Sequence, residues 1–357
     1  MGSLLFSPLT IKNITLKNRI VISPMCQYSS NDGFANDWHL VHLGSRATGG
    51  AALIIQEASA VSPEGRISPS DLGIWKDEHI GKLKTITEFI ISQNAVPGIQ
   101  LAHAGRKASV SEPWLGNKKL DESNIGWTTF APSAIRYHEN EAYLPVALEE
   151  TGIQKVISDF KAATIRAVEA GYQVLEIHAA HGYLLHQFLS PLTNQRTDQY
   201  GGSFENRIRF TLEILKAVQS EWPAELPLFV RISATDWADG GWNPEESVQL
   251  SAILKDKGVD LIDVSSGGLV SHQQIPVEPG YQVPFAEKIK KETQILTGAV
   301  GLITEAKQAE EILNNGQADL VLFARESLRN PNLALDFARE LNENIQWPKQ
   351  YERAKTR

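Results

Sequence analysis

The sequence predicts an α/β fold, a single (β/α)8 TIM barrel. Eight short runs rich in Val, Ile and Leu recur along the chain, and longer amphipathic stretches separate them, which is the pattern of βα units around a parallel sheet. Strict alternation of strand and helix favours a closed barrel over an open doubly wound sheet, which usually has fewer strands. The sequence GxGxxG, which often follows the first strand of such an open sheet, is absent.

The predicted elements follow one another in order. The strands are RIVISP from Arg19, ALIIQE from Ala52, PGIQLA from Pro97, VLEIHA from Val174, PLFVRI from Pro227, DLIDVS from Asp260, QILTGAV from Gln294 and DLVLFA from Asp319. Helices are predicted near residues 39–49, 77–94, 149–171, 204–222, 245–258, 285–292, 304–315 and 332–342. Asp77, Asn243 and Thr304 stand where they could start three of these helices.

Two segments are longer than an ordinary connection between strand and helix. They are residues 103–148, rich in Trp, Pro and Ser, and residues 179–202. Long loops in a compact domain are usually functional, and in a barrel they would stand over the C-terminal end of the strands. We therefore predict one domain over 1–357, with a capping insertion at about 103–148 after strand three and a C-terminal tail at 343–357.

Composition excludes several classes of protein. With 42% hydrophobic and 21% charged residues the chain has the composition of a globular protein with a large core. A net charge of −8 without a long basic run argues against nucleic acid as a partner. The single cysteine, Cys26, cannot form an internal disulfide. No signal peptide or membrane-spanning run is apparent, so we expect a cytoplasmic protein without a membrane partner.

Polar or conformationally special residues gather at the ends of the predicted strands. In strand order they are Ser23-Pro24-Met25-Cys26, Glu57-Ala58, Gln100 with His103, His178 with His181 and Tyr183, Arg231, Ser265-Ser266-Gly267-Gly268, Gly298 with Gly301, and Ala324-Arg325. The C-terminal ends of barrel strands point into one common site. The sequence therefore predicts a functional site at that end.

The pair His178 and His181 is spaced so that one helical turn would aim both imidazoles to the same side. Two ring N–H groups could then hold one oxygen atom. Two other interpretations stay open. Each histidine could be packed and bonded to backbone, or the pair could supply two ligands to a metal in a barrel hydrolase. The hydrolase would need a third ligand, and no HExxH sequence is present.

Three further features have both a functional and a purely structural interpretation. Gly298, Gly301 and the backbone before Arg325 suit a phosphate, although the glycines could serve tight turns alone. Arg231, at the end of a buried strand, needs an anionic partner, which a bound cofactor would supply. Cys26 is either a small buried hydrophobic residue or a group at the mouth of the site.

These motifs together resemble the Old Yellow Enzyme family of FMN-dependent ene-reductases, and specifically its cysteine-bearing bacterial, thermophilic-like subgroup. The resemblance covers essentially the whole chain. It is carried by SPMCQYSS at 23–30, EASAVSPEGRIS at 57–68, IQLAHAGRKA at 99–108, FAPSAI at 130–135, EIHAAHGYLLHQFLSPLTNQRTDQYGGSFENR at 176–207, VRISATDW from 231, DVSSGG at 263–268, TGAVGLI at 297–303, FARESLRNP at 323–331 and the final QYERAKTR.

The resemblance implies a tightly bound FMN. Around its ring system would lie Ser23, Pro24, Met25, Cys26, Ala58, Gln100 and Arg231, and around its phosphate Gly301, Ala324 and Arg325. Arg231 would stabilise the anionic reduced flavin, and Cys26 would tune the potential. Ala324 stands where the family usually has glycine, so the phosphate cup would be slightly tighter.

The resemblance also implies a reaction. NADPH would be the hydride donor in a ping-pong reduction of activated C=C bonds in α,β-unsaturated carbonyl and nitro compounds. His178 and His181 would bind the substrate oxygen, Tyr183 would protonate the α-carbon, and Tyr28 would line the pocket. Arg353, in the Tyr-Glu-Arg tail, would reach the active-site mouth of a neighbouring subunit in a homodimer or homotetramer. Related barrels that carry an iron–sulfur cluster need more cysteines than this chain has.

Overall fold

A computed structural model describes residues 2–355, so the last two residues of the predicted tail lie outside the described range. Its strands are β1 (Leu9–Ile11), β2 (Ile14–Leu16), β3 (Ile20–Ile22), β4 (Leu53–Ala60), β5 (Val96–Ala102), β6 (Phe130–Ala131), β7 (Val146–Ala147), β8 (Val174–Ala179), β9 (Leu228–Ser233), β10 (Leu261–Ser265), β11 (Leu296–Ala299) and β12 (Leu320–Phe323). Eight of them form a closed barrel in the order β3-β4-β5-β8-β9-β10-β11-β12, and every neighbouring pair is parallel. The predicted barrel and its eight strands are confirmed.

Helices surround the barrel. They are α1 (Asp37–Thr48), α2 (Ile80–Ser92), α3 (Glu150–Glu169), α4 (Leu184–Leu189), α5 (Phe204–Gln219), α6 (Pro244–Asp256), α7 (Val283–Thr293), α8 (Ala306–Asn314), α9 (Arg325–Arg329) and α10 (Leu333–Glu340). Eight of them match the predicted helices. The sequence did not predict α4 and α9, because segments of one to two turns are too short to show a helical period. Over residues 2–355, no helix has the length and apolar character needed to span a bilayer.

Of the three predicted helix starts, one is a helix cap in the structure and two are not. Asn243 caps α6, since its side chain accepts a hydrogen bond from the Glu246 N–H at 3.0 Å. Asp77 lies in a short 3-10 turn before α2 and instead forms an ion pair with Arg166 at 2.7 Å. Thr304 is not a cap either, because α8 follows Glu305 without a side-chain cap. Local sequence alone did not distinguish a capping carboxylate from one used in a tertiary contact.

The lower half of the barrel interior, toward the N-terminal ends of the strands, is apolar. The cluster includes Val21, Leu53, Ile55, Val96, Val174, Phe229, Leu261, Leu320 and Leu322, together with Ile11 and Leu16 of the β1–β2 hairpin. The hairpin thus packs against this end of the barrel. Fully burying a side chain of this size contributes about 1.5–3 kcal/mol, so the cluster is a large part of the fold's stability.

The next level of the interior is polar. Side chains of a β-strand alternate between two faces, so residues two apart point to the same side. Along β8, Val174 belongs to the apolar cluster, Glu176 follows above it and His178 comes at the top. Gln100 is in register with Glu176, whereas Arg231 is in register with His178 on one side and with Asp263 on the other. We call Gln100, Glu176, Arg231 and Asp263 the polar layer.

The insertion between β5 and α3 is tied to the loops at the top of the barrel. The Arg106 guanidinium donates hydrogen bonds to the carbonyl oxygens of Ile135 and Arg136, at 3.2 and 2.9 Å, and to that of Leu269 at 2.6 Å. The Trp127 indole N–H donates to the Glu64 carbonyl at 2.9 Å. The insertion is therefore attached to the loops that follow β4 and β10.

Candidate functional site

A sharp turn after β8 brings three predicted site residues together. The His178 ring centroid lies 5.0 Å from that of His181 and 5.1 Å from that of Tyr183, both in edge-on contact. His181 has a φ of 59°, which few side-chain-bearing residues adopt. Gly182 is required here, because a Cβ atom would lie 2.1 Å from the Gly268 carbonyl oxygen. The backbone is thus constrained so that the three rings share one site.

Both histidines are held in a neutral form. Burial lowers the pKa of His178 and of His181 well below the ordinary value, and the charge of Arg231 lowers each further. The backbone N–H of His181 donates to the Ser233 hydroxyl at 2.9 Å, and the ring Nε2 of His181 lies 2.7 Å from the Ser265 hydroxyl. His178 Nδ1 is buried without a hydrogen-bond partner in the described structure. Neutral imidazoles can hold an oxygen atom without adding charge to the site.

Lys107 holds this turn from the β5 side. Its ammonium donates to the carbonyl oxygens of His181 and Gly268, both at 2.9 Å, and lies 5.2 Å from the Tyr183 ring centroid. Burial raises the pKa of the Tyr183 phenol well above its ordinary value, so the phenol keeps its proton. Lys107 lies within the quoted motif IQLAHAGRKA, but nothing in its spacing identified this role.

Cys26 and Tyr28 lie in the loop after β3. Burial raises the pKa of the Cys26 thiol well above its ordinary value, and the nearby carboxyls of Asp71 and Glu57 add to that rise. Cys26 is therefore a neutral thiol, which is a poor nucleophile. The Tyr28 ring contacts that of Trp114 edge-on, with centroids 5.9 Å apart. Trp114 belongs to the capping insertion, and sequence reasoning had not placed it near the site.

The polar layer lies inside the barrel next to the histidines, with Arg231 in register with His178. Arg231 Nε is 3.0 Å from Asp263 Oδ2, and its Nη1 donates to the Ser23 hydroxyl at 3.2 Å. The Gln100 amide donates to Glu176 Oε1 at 2.7 Å. The sequence analysis expected a cofactor to supply the anionic partner of Arg231, but Asp263 already supplies one. The signal for Glu176 and Asp263 was present, since each is a carboxylic acid with an apolar residue on either side within a predicted strand.

A second group of predicted residues lines a pocket of about 150 Å³ between β11 and β12, formed by Gly301, Ala324, Arg325 and their neighbours. Gly301 has a φ of 123°, and a Cβ there would lie 2.8 Å from Gln282 Nε2. Gly298 does not line this pocket. Its Cβ would lie 2.5 Å from Leu322 Cδ1 in the barrel interior, so its assignment to a phosphate site was wrong and its role is packing.

The remaining predicted residues fall into two places. Ser23, Pro24, Met25 and Ala58 lie with Cys26 at the ends of β3 and β4. Arg353 is exposed in a short 3-10 turn, Lys349–Ala354, and is not brought to the site of its own chain. The preceding tail lines a cavity of about 470 Å³ together with Asn18, Thr48 and Gln93, at the N-terminal end of the barrel.

The histidine pair is not part of a metal-ligand cluster in the described residues. Over residues 2–355, no group of three or more His, Cys, Asp or Glu side chains is arranged to hold a metal ion. The neighbours of His178 and His181 are instead Ser265, Tyr183 and the cation of Lys107. A hydrolytic metal site would need a third protein ligand that this arrangement does not offer.

Comparisons with known proteins agree with this geometry. The model of the NADH:flavin oxidoreductase / NADH oxidase family matches residues 4–344. The NADPH dehydrogenase of Bacillus subtilis (strain 168) is 52% identical over 355 residues, covering 99% of each chain. That of Listeria welshimeri serovar 6b is 51% identical over 354 residues, again covering 99% of each.

Solved structures with the same fold cover nearly the whole chain. Morphinone reductase superposes with a TM-score of 0.79 at 28% identity, covering 98% of this chain and 92% of that one. The Old Yellow Enzyme homologue from Zymomonas mobilis has a TM-score of 0.77 at 25% identity, covering 97% and 98%. The chain described here therefore belongs to the NADH:flavin oxidoreductase / NADH oxidase family and is a flavin oxidoreductase of the Old Yellow Enzyme type.

Proposed function

We propose that this enzyme holds FMN and uses NADPH to reduce activated C=C bonds of α,β-unsaturated carbonyl and nitro compounds in a ping-pong reaction. The observation that carries the proposal is the contact of the neutral His178 with the neutral His181 and with the protonated Tyr183, on a strand whose neighbour places Arg231 in register with His178. The relatives named NADPH dehydrogenase support NADPH as the hydride donor. The metal-dependent hydrolase suggested by the His-x-x-His spacing has no support from the family match.

The residues present fit FMN. The pocket beside Gly301 is of a size for a phosphate group, its glycine gives the backbone access that a side chain would block, and Arg325 lies at its edge. Ser23, Pro24, Met25, Cys26, Ala58, Gln100 and Arg231 would surround the ring system, and Gly301, Ala324 and Arg325 the phosphate. FMN would supply a carrier that accepts a hydride from NADPH and passes it to the β-carbon of the substrate.

The chain's own groups would do the rest of the chemistry. The ring N–H groups of His178 and His181 would donate hydrogen bonds to the carbonyl or nitro oxygen, where negative charge develops as the β-carbon gains a hydride. Tyr183 would deliver its phenolic proton to the α-carbon, and its raised pKa makes it an acid that is protonated at neutral pH. Arg231 would supply a positive charge to the ring system, and Cys26 would adjust the potential as a neutral thiol.

Substrate access would involve two further elements. Tyr28, held against Trp114 of the insertion, would line the pocket. Arg353 would complete the mouth of a partner's site in a homodimer or homotetramer, which agrees with its exposure and its distance from its own site. The substrates would be small enones and nitroalkenes.

Colour and cofactor analysis test the proposal. The purified protein should be yellow, should bleach when NADPH is added without oxygen, and should release FMN and no FAD on denaturation, because it lacks an adenylate-binding sequence. A panel of enones and nitroalkenes should then restore the colour. Release of FAD, or a colourless protein that does not take up FMN, would contradict the assignment.

A further inference from the structure

Two carboxyl groups in the polar layer, those of Glu176 and Asp263, have oxygens without a hydrogen-bond donor in the described residues. Glu176 Oε2 and both carboxylate oxygens of Asp263 are buried, and no N–H or O–H group of the described residues makes a well-aligned hydrogen bond to them. The two side chains are fully enclosed and are close enough that the pKa of each depends on the other. Two ionised carboxylates in such a buried pair repel each other strongly. A proton between them removes the repulsion and gives Glu176 Oε2 and one oxygen of Asp263 a hydrogen bond.

The surroundings decide which carboxyl carries the proton. Asp263 lies 3.0 Å from the Arg231 guanidinium, whose charge stabilises a carboxylate. Glu176 forms no ion pair within the described residues and accepts only the Gln100 amide on Oε1. Burial raises the pKa of Glu176 well above its ordinary value, and the charge of Asp263 raises it further. His178, two residues further along β8, is neutral because burial lowers its pKa.

We infer that Glu176 is a permanently protonated positioning residue, which donates to Asp263 and leaves Asp263 as the sole negative charge opposite Arg231. The layer then carries one positive and one negative charge. An ionised Glu176 would make it net negative and would oppose the negative charge that a flavin gains when a hydride reduces it. Because Glu176 is neutral, the positive charge of Arg231 can still favour reduction of the flavin. The negative charge of Asp263 weakens this effect of Arg231.

Infrared spectroscopy tests the proton directly and does not depend on catalysis. The spectrum of the purified wild-type protein at neutral pH, minus that of Glu176→Gln, should contain the C=O stretching band of a protonated carboxyl group. Glutamine reproduces both hydrogen bonds of a neutral glutamic acid, so the variant should fold. The matched control is Glu57→Gln, which removes another buried carboxyl group, because burial raises the pKa of Glu57 to about 8. The band lost in Glu57→Gln should differ in position from the band lost in Glu176→Gln. Only carboxylate bands in the Glu176 difference would overturn the inference.

A redox titration of the flavin tests how the charges of Glu176 and Asp263 affect its reduction. This test rests on the proposed function, since it needs bound FMN. Asp263→Asn should shift the equilibrium toward reduced flavin by at least about tenfold, because it removes the counter-charge of Arg231. Glu176→Gln should change it by less than about threefold, since the removed group was neutral. An equal shift in both variants would show that Glu176 is ionised. A protein without flavin would contradict the proposed function, whereas the infrared result would still decide the state of Glu176.

Discussion

The two halves of the barrel interior are built from the same strands but have different roles. On β10, Leu261 lies in the apolar cluster, whereas Asp263, two residues further, lies in the polar layer beside Arg231. The change from one half to the other takes a single step of the strand's alternation. The apolar cluster of the lower half contributes buried surface, and the upper half contains His178, Tyr183 and Arg231 of the candidate site.

The upper half shows how the fold accommodates the buried polar and charged groups of a site. Burying a charge or an unpaired polar atom is unfavourable unless it is hydrogen-bonded or neutralised. His178, Tyr183 and Cys26 are kept neutral by burial, and Asp263 neutralises Arg231. We therefore expect changes in the upper half to alter chemistry with little loss of stability, and changes in the lower half to do the reverse.

The largest effect is expected at Tyr183. Tyr183→Phe removes the proton donor, so the step that reduces an enone should slow by about 10²–10⁴-fold, while the step that oxidises NADPH should change little. Stopped-flow measurement of the two steps separates them. Tyr200→Phe is the matched control, since its hydroxyl bonds Glu213 away from the site. Equal slowing of both steps would indicate that Tyr183 acts only in packing.

The lower half should respond in stability. Leu261→Ala creates a cavity beside Leu322 and should reduce the free energy of unfolding by about 2–5 kcal/mol. Urea unfolding checks this, with the 66% exposed Val41 changed to Ala as the control. The folded variant should bind phenols as the wild type does. Weakened phenol binding in the folded variant would mean that the two halves are coupled.

Replacing the histidine pair should weaken ligand binding and leave stability nearly unchanged. Replacing both His178 and His181 by Ala should weaken binding of a phenolate, which resembles an enolate oxygen, by about a hundredfold or more, because hydrogen bonds to charged groups contribute about 1.5–3 kcal/mol each. The protein should stay yellow and folded. The exposed His272→Ala is the control for a lost histidine. Unchanged phenol titrations would remove the pair from the substrate site.

The sequence was sufficient for the parts of this arrangement that follow from local pattern. The eight apolar runs are short and bounded by polar residues, so strand order and the site at their C-terminal ends could be predicted. The β1–β2 hairpin and the two shortest helices were missed, because three to six residues show no clear period. The partner of Arg231 was assigned to a ligand, because sequence spacing does not reveal that Asp263 is its neighbour across β9 and β10.

Other groups near the site were missed for a similar reason. Lys107 acts through backbone oxygens of His181 and Gly268, which leave no trace in residue type. Trp114 reaches Tyr28 only because the insertion folds back over the barrel. Long-range contacts of this kind depend on tertiary structure, whereas strand order depends mainly on local pattern. The same limit applies to Arg353, whose proposed partner is another chain.

Deleting residues from Gln350 onward should have a smaller effect than the three variants above. If Arg353 completes a partner's site, the Michaelis constant for enones should rise by about tenfold, the size of one charge-assisted hydrogen bond at an exposed position, with the flavin retained. Arg353→Ala in the full-length chain should reproduce the change, whereas Lys349→Ala should not. A fully active monomer, or unchanged kinetics of the truncated enzyme, would show that the site is not shared.

Cys26 should give the smallest effect. Burial raises the pKa of its thiol, so the group is neutral at working pH and cannot act as a thiolate nucleophile. Cys26→Ala removes at most one weak hydrogen bond, so kcat/KM should change by less than about tenfold while the midpoint potential of the flavin shifts measurably. Cys26→Ser, which keeps a small polar group, should shift the potential less than alanine does. Complete loss of activity in a variant that still holds its flavin would mean that the thiol takes part in bond making. Cys26 could then not be a group that burial simply keeps neutral.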